Sequence, residues 1–222
     1  MKLIHGDCFE VMADMADGSV DHVITDPPYS ERTHAGARTN RSPGGEALVS
    51  FDSFTKDNFL SFVCKCVNVS SRWVVMTCDF HHALNVEASD IPVVRFGAWV
   101  KTNPTPQISG DRPGMGWEPI LILHAKGRKR WNGGGRSGVW TTKVIDRATI
   151  PTQKPLPLIC KLIQDFTDPG ETILDPCMGS GTVGVACKRL GRKFIGIEVL
   201  KDHYEIAKKR IEQEQMQGEM FT

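Results

Sequence analysis

Short apolar runs rich in β-branched residues alternate with stretches of helical spacing along most of the chain, and this alternation leaves few folds open. Lys2–His5, Val20–Thr25, Arg72–Cys78, Val93–Lys101, Pro119–Ala125, Thr172–Leu174 and Lys193–Val199 read as strands. Between them, Phe59, Phe62, Val63 and Cys66 are spaced i, i+3, i+4, i+7, the mark of a helix with one buried face. Leu158, Leu162, Ile163 and Phe166 mark another helix, and Tyr204, Ala207 and Ile211 a third. Strand and helix in repeated alternation predict a mostly parallel sheet covered on both faces, an α/β fold. With 222 residues, 40% of them hydrophobic, one full core is within reach.

In open α/β sheets, ligands collect beyond the C-terminal ends of the strands, and two such ends stand out. The run Val20–Thr25 stops at Asp26-Pro27-Pro28-Tyr29. Neither proline has an N–H to give a ladder, so a carboxylate, a rigid turn and an aromatic ring are presented together at the strand end. The run Thr172–Leu174 leads into Asp175-Pro176-Cys177-Met178-Gly179-Ser180-Gly181-Thr182, then a helix, then a strand ending at Glu198. Glycines let backbone approach a ligand closely. An acidic residue about 20 positions further on suits the hydroxyls of a ribose. The third glycine of the dinucleotide fingerprint and the lysine of a phosphate loop are both missing, which points to a nucleoside without phosphates. Asp7, just past the first strand, is either a helix N-cap or a further site residue.

Two segments break the alternation. Residues 30–50 have almost no apolar content and carry Arg32, Arg38 and Arg41. They predict a loop beside Tyr29, either a clamp on substrate or a solvated connection. Residues 126–147 hold Lys126, Arg128, Lys129, Arg130 and Arg136 with Trp131 and Trp140 interleaved. Cations with flat aromatic surfaces suit nucleic acid; the alternative is a basic loop whose tryptophans pack back on the domain. Net charge is only +1, so any basic surface is local. The seven cysteines are scattered, without C-x-x-C or zinc spacing, so no metal is expected. Their odd count and the lack of a secretory leader predict a reducing, cytoplasmic setting. No apolar run reaches the roughly 18 residues of a membrane helix.

Four motifs together resemble the amino-group DNA methyltransferases, which move a methyl from S-adenosylmethionine to N6 of adenine or N4 of cytosine. Asp26-Pro27-Pro28-Tyr29 resembles their catalytic motif, and Asp175 to Thr182 their cofactor loop. Thr152-Gln153-Lys154-Pro155 is similar to the segment before that loop, and Gly6-Asp7-Cys8 to the segment touching the cofactor's adenine. The catalytic motif precedes the cofactor loop, as in the beta group. The resemblance implies one domain over residues 1–222, a three-layer, seven-stranded Rossmann-like methyltransferase fold, circularly permuted, with one strand antiparallel. Insertions for DNA recognition are expected at about 30–50 and 101–150.

By the same resemblance, S-adenosylmethionine is expected against Asp7, Cys8, Asp26, Lys154, Asp175, Pro176, Gly179, Ser180, Gly181, Thr182 and Glu198. The Asp26 carboxylate and the Pro27 carbonyl would accept the hydrogens of the target amine, Pro28 would stiffen the turn, and Tyr29 would stack on the flipped base. Aspartate at the head of the motif favours N6 of adenine; N4-cytosine members more often carry serine there. Cys177 lies in the cofactor turn and is not read as a nucleophile. Double-stranded DNA is the expected partner, contacted by Arg32, Arg38, Arg41, Lys101, Arg128, Lys129, Arg130 and Arg136. The recognition region is short for a duplex reader, so a homodimer supplying a second contact surface is expected. The implied setting is the cytoplasm, in a bacterial or phage-encoded enzyme. A non-catalytic DNA-binding protein on the same fold is the rival reading, which Asp26, Tyr29 and Glu198 argue against.

Overall fold

A computed structural model of the chain describes residues 1–33, 53–104, 106–145, 148–150 and 153–214. The elements in chain order are β1 (Lys2–His5), α1 (Cys8–Ala13), β2 (His22–Thr25), α2 (Lys56–Val69), β3 (Trp73–Thr77), α3 (Phe80–Glu87), β4 (Val93–Lys101), β5 (Trp117–His124), β6 (Val139–Thr142), α4 (Leu156–Phe166), β7 (Thr172–Asp175), α5 (Thr182–Arg189), β8 (Lys193–Glu198) and α6 (Lys201–Gln213). One sheet carries all the strands, in the order β1-β8-β7-β2-β3-β5-β4-β6. Only β5 runs against its neighbours, pairing antiparallel with β3 and β4.

Helices cover both faces. Phe59, Phe62, Val63 and Cys66 of α2 pack with Met12 of α1 and Val86 of α3 against Val23, Val74 and Leu121. On the other face, Leu158, Leu162 and Ile163 of α4, Ala186 of α5 and Ala207 of α6 pack against Ile24, Val75 and Ile173. Val23 and Ile24 are adjacent in β2 yet belong to different cores, as the alternation of side chains along a strand requires. The central strands are buried on both faces, which is why they read as unbroken apolar runs.

The predicted three-layer, mostly parallel fold with one antiparallel strand is what the chain forms, but the sheet has eight strands rather than seven. The eighth, β6, extends the edge by pairing parallel with β4, Ala98 opposite Val139 through Lys101 opposite Thr142. It is a four-residue strand inside a glycine-rich, basic stretch whose composition hid it. Gly97 makes the approach possible: a Cβ there would sit 2.6 Å from Trp140 and 2.8 Å from the Gly138 carbonyl. At the opposite edge, β1 pairs parallel with β8, Leu3 opposite Gly196. The start of the chain therefore lies beside the strand that feeds the last helix, the neighbour relation a permuted order demands.

Candidate active site

Every parallel strand near the middle of the sheet ends in an acid on one rim. Asp7 follows β1, Asp26 follows β2, Asp79 follows β3, Asp175 closes β7 and Glu198 closes β8. The chain leaves β7 toward β8 and leaves β2 toward β3, so β2 and β7, which are neighbours, flank the switch point where a crevice opens. A cavity of about 500 Å³ occupies it. That lies within the range of small-molecule sites, roughly 300–1,000 Å³.

One side of the cavity is the glycine turn. Gly181 has φ +78° and caps α5; a Cβ there would meet Ala207 at 2.9 Å, so glycine is required both by conformation and by packing. The turn is tied down from two sides. Glu198 Oε2 accepts from the Gly179 amide at 2.8 Å, and its Oε1 accepts from the Leu200 amide at 2.9 Å. The Arg210 guanidinium of α6 donates to the Ser180 carbonyl and, at 2.6 Å, to its hydroxyl. Asp175 is buried beneath, accepting on Oδ1 from the Thr25 hydroxyl at 2.7 Å and the Cys177 amide at 3.2 Å. Burial pushes its pKa up to about 7, against those two donors.

Asp7 serves as the N-cap of α1, accepting from the Phe9 and Glu10 amides, and it also lines the cavity. The N-cap role is therefore compatible with a place on the cavity wall. Cys8 stands beside it against Cys177. A hydrogen bond with Cys8, together with burial, pushes the Cys177 thiol well above its usual range. A neutral thiol is a poor nucleophile, in keeping with the role denied to it from the motif.

The other side of the cavity is Asp26-Pro27-Pro28-Tyr29. The Asp26 Oδ1 accepts from the Thr77 hydroxyl, and its Oδ2 accepts from the Lys154 ammonium at 2.7 Å. The Tyr29 hydroxyl donates to Glu118 Oε2 at 2.6 Å, and Lys101 pairs with Glu118 Oε1 at 2.6 Å. Burial raises the Asp26 carboxyl above its usual range, only partly offset by Lys154 and Thr77. Burial would lower the Lys154 ammonium, but Asp26 and Glu118 outweigh it and hold the lysine charged. Glu118 is held below the usual carboxylate range because Lys154, Lys101 and Tyr29 overcome its burial. Just past Tyr29, the Asp79 carboxylate accepts from the Ser30 amide at 2.8 Å and from the Ser30 and Thr33 hydroxyls, each at 2.5 Å. That anchors the exit from the motif.

The structure thus brings Asp7, Cys8, Asp26, Pro27, Pro28, Tyr29, Lys154, Asp175, Pro176, Gly179, Ser180, Thr182 and Glu198 to one cavity. Gly181 shapes the turn from behind. Lys101 joins through Glu118, and Arg32 is exposed beside Thr33. Lys154, expected on the cofactor side, is bonded to Asp26. Arg38, Arg41 and Thr152 lie outside the described residues.

Arg128, Lys129, Arg130 and Arg136 are not brought to this site. β5 is antiparallel, with His124 opposite Trp73 at the start of β3, so the chain leaves it on the rim opposite the cavity. Arg130 pairs there with Asp168 at 2.5 Å and Glu171 at 3.0 Å, and Arg136 with Asp165 at 2.5 Å. The tryptophans expected as stacking surfaces pack inward. Trp140 is buried with its Nε1 on Asp165, and Trp131 lies edge-on to Phe166. The packing alternative is the one the fold adopts. Thr77, Asp79 and Glu118 went unread because each acts across the sheet on a motif 49 to 89 residues away.

A family model described as DNA methylase, covering N6 and N4 methyltransferases, matches residues 20–209. The Type II methyltransferase M2.DpnII of Streptococcus pneumoniae is 33% identical over 96% of this chain and 90% of its own length. The Type II methyltransferase M2.LlaDCHI of Lactococcus lactis subsp. cremoris is 30% identical over 94% and 88%. Among solved structures, the M1.HpyAVI–SAM complex superposes with a TM-score of 0.69 at 29% identity, covering 94% of this chain and 98% of that one.

Proposed function

This chain belongs to the N6/N4 DNA methylase family, and from that premise we propose that it transfers a methyl group from S-adenosylmethionine to N6 of an adenine flipped out of duplex DNA. The observation that carries the reading is that the Asp26 carboxylate and the Glu198-held glycine turn open into one cavity.

The cavity suits the cofactor. Apart from Lys154, already committed to Asp26, no lysine or arginine lines it among the described residues, so it offers little to a phosphate. A Cβ on Gly179 would come within 3.3 Å of Ile150, which leaves the bare backbone of the turn to face the ligand. Glu198 would take the ribose hydroxyls, the turn from Gly179 to Thr182 the methionyl part, and Asp7 and Cys8 the adenine edge. When bound, S-adenosylmethionine supplies an electrophilic methyl on a sulfonium.

The protein's own task is to make a poor nucleophile attack. An exocyclic amine shares its lone pair with the ring. The Asp26 carboxylate and the Pro27 carbonyl accept its two hydrogens and turn the lone pair toward the methyl. The two prolines fix the direction of that carbonyl. The Asp26 charge also stabilises positive charge developing on nitrogen. Its oxygens each hold one internal donor and keep a second lone pair for the amine. After transfer the amine carries one proton too many, and Asp26, raised by burial, is the base at hand. Tyr29, its hydroxyl anchored on Glu118, offers its ring to the base. Extrusion from the duplex costs a few kcal/mol, and alignment of amine and methyl supplies much of the acceleration.

Enzymatic digestion of DNA incubated with the protein and S-adenosylmethionine, followed by mass spectrometry of the nucleosides, is expected to show N6-methyladenine. N4-methylcytosine in its place would overturn the adenine assignment, and unmodified DNA would overturn the transfer itself. We infer a cytoplasmic setting, in a bacterium or in one infected by a phage, from a reaction on DNA and from the bacterial relatives.

On the cavity rim, Arg32 and Lys101 would meet DNA; Arg38 and Arg41, outside the described residues, are further candidates by sequence alone. We assign Arg128, Lys129, Arg130 and Arg136 no such part, given their rim. A homodimer is the working form we infer. Phe80 and Leu84, one turn apart on α3, are each 50% exposed, more apolar surface than one short helix ordinarily shows to water. Sedimentation at micromolar concentration is expected to give twice the chain mass; a monomer fully active on duplex DNA would refute this.

A further inference from the structure

Lys154 occupies the ground a target amine has to enter. Its ammonium lies 2.7 Å from Asp26 Oδ2 and 5.0 Å from the centre of the Tyr29 ring. The side chain is only 7% exposed, so it has no easy exit to water. A second carboxylate stands in reach: Glu118 Oε2 is 3.6 Å from the same ammonium. Glu118 is the second residue of the antiparallel strand β5, which, alone among the described strands, delivers its first residues to this rim. It already holds the Tyr29 hydroxyl on Oε2 and Lys101 on Oε1.

Resting on the reading of the site given above, we propose that Glu118 is a positioning residue which takes Lys154 from Asp26 as the target base arrives, freeing Asp26 Oδ2 for the amine while holding the Tyr29 ring in place. The move needed is roughly one ångström, from 3.6 Å to ordinary hydrogen-bond length. A lysine suits it, being a compact charge with three donors on a flexible stem. Two facts favour it. Oδ2 keeps a lone pair beside the ammonium, but the amine would have to share that oxygen with a second donor. The amine also gains positive charge as the methyl arrives, and a cation left on Asp26 would repel it. Lys101, nearer the surface, can yield its place on Glu118 to Lys154 and turn toward DNA phosphate. The lysine expected to support the cofactor pocket then becomes the gate of the base pocket.

Glu118→Gln tests this, because glutamine keeps an oxygen for the Tyr29 hydroxyl but loses the charge that draws Lys154 across. Turnover is expected to fall about 100-fold, the effect of an ångström of misplacement, with the dissociation constant for S-adenosylmethionine unchanged. The groups facing Asp26 are Lys154, Glu118, Tyr29, Cys78 and Asp175. Removing Glu118 takes away one negative charge near Asp26 and leaves Lys154 in place. The acidic limb of the turnover–pH profile therefore moves to lower pH.

Glu118→Asp keeps a retracted charge and should recover part of the rate, with the acidic limb near its wild-type place. It also decides the matter if the glutamine variant fails to fold. A glutamine variant within twofold of wild type overturns the proposal. So does one that is slow with an unmoved acidic limb, since that would be a structural loss only, and so does an aspartate variant that turns over at the wild-type rate. Failure of the underlying reading looks different: wild-type protein would then leave DNA unmethylated.

Discussion

Asp26→Asn is expected to cut methyl transfer by about 100- to 1,000-fold, the range seen when one preorganised electrostatic contact to a transition state is removed. Asparagine fills the same volume and still offers a carbonyl oxygen, so the amine can be bound. What goes is the negative charge that offsets the cation forming on nitrogen, and the base that takes the proton afterwards. Cofactor binding should change far less than turnover, because the Gly179 turn is held by Glu198 and Arg210, not by Asp26. Stability will fall by less than the roughly 3–5 kcal/mol of a fully broken buried ion pair. Lys154 keeps Glu118 at 3.6 Å as a partner. Single-turnover transfer of a labelled methyl, beside calorimetric titration of S-adenosylmethionine, separates the two effects. An asparagine variant that methylates DNA at the wild-type rate would remove Asp26 from the chemistry.

The second large effect is expected from Glu198→Ala, and it should fall on the cofactor. The carboxylate has two duties. Its oxygens receive the Gly179 and Leu200 amides, which fixes the turn and the start of α6. It also faces the cavity as the acceptor placed for ribose hydroxyls. Alanine releases both amides and deletes the acceptor. Hydrogen bonds to a charged group are worth about 1.5–3 kcal/mol each, so losing the ribose pair and loosening the turn should weaken S-adenosylmethionine by about 100-fold. Turnover at saturating cofactor should change far less, since the amine's acceptors stay in place. Equilibrium titration of the cofactor is the measurement, and an unchanged dissociation constant would show that the ribose is held elsewhere.

Much of this was readable in the chain because it is local. Asp26-Pro27-Pro28-Tyr29 and Asp175 to Thr182 are each contiguous, and each follows a strand whose β-branched residues announce it. Their meeting at one cavity follows from parallel strands ending on one rim. What escaped reading is what depends on direction and distance along the chain. Composition made residues 126–136 look like a nucleic-acid surface, but only the reversal of β5 says which rim they reach. Trp131 and Trp140 look the same in a sequence whether they stack on bases or on Phe166. Strand β6 was hidden because it is short and basic around its edges, and because Gly97, which lets Trp140 approach β4, contributes space rather than a side chain. Thr77 and Glu118 are ordinary residues of ordinary strands until register sets them against Asp26 and Tyr29. Lys154 lines the cavity as expected, but its bond to Asp26 could not be read, since adjacency to the cofactor loop in sequence says nothing of where a long side chain ends.

The reversal of β5 has a practical use. It leaves Lys126, Arg128 and Lys129 exposed on the rim opposite the cavity. A dye, a surface linker or a fused partner attached at Lys129 would project away from the cavity. The molecule therefore carries a built-in handle by which it can be immobilised or watched while it works.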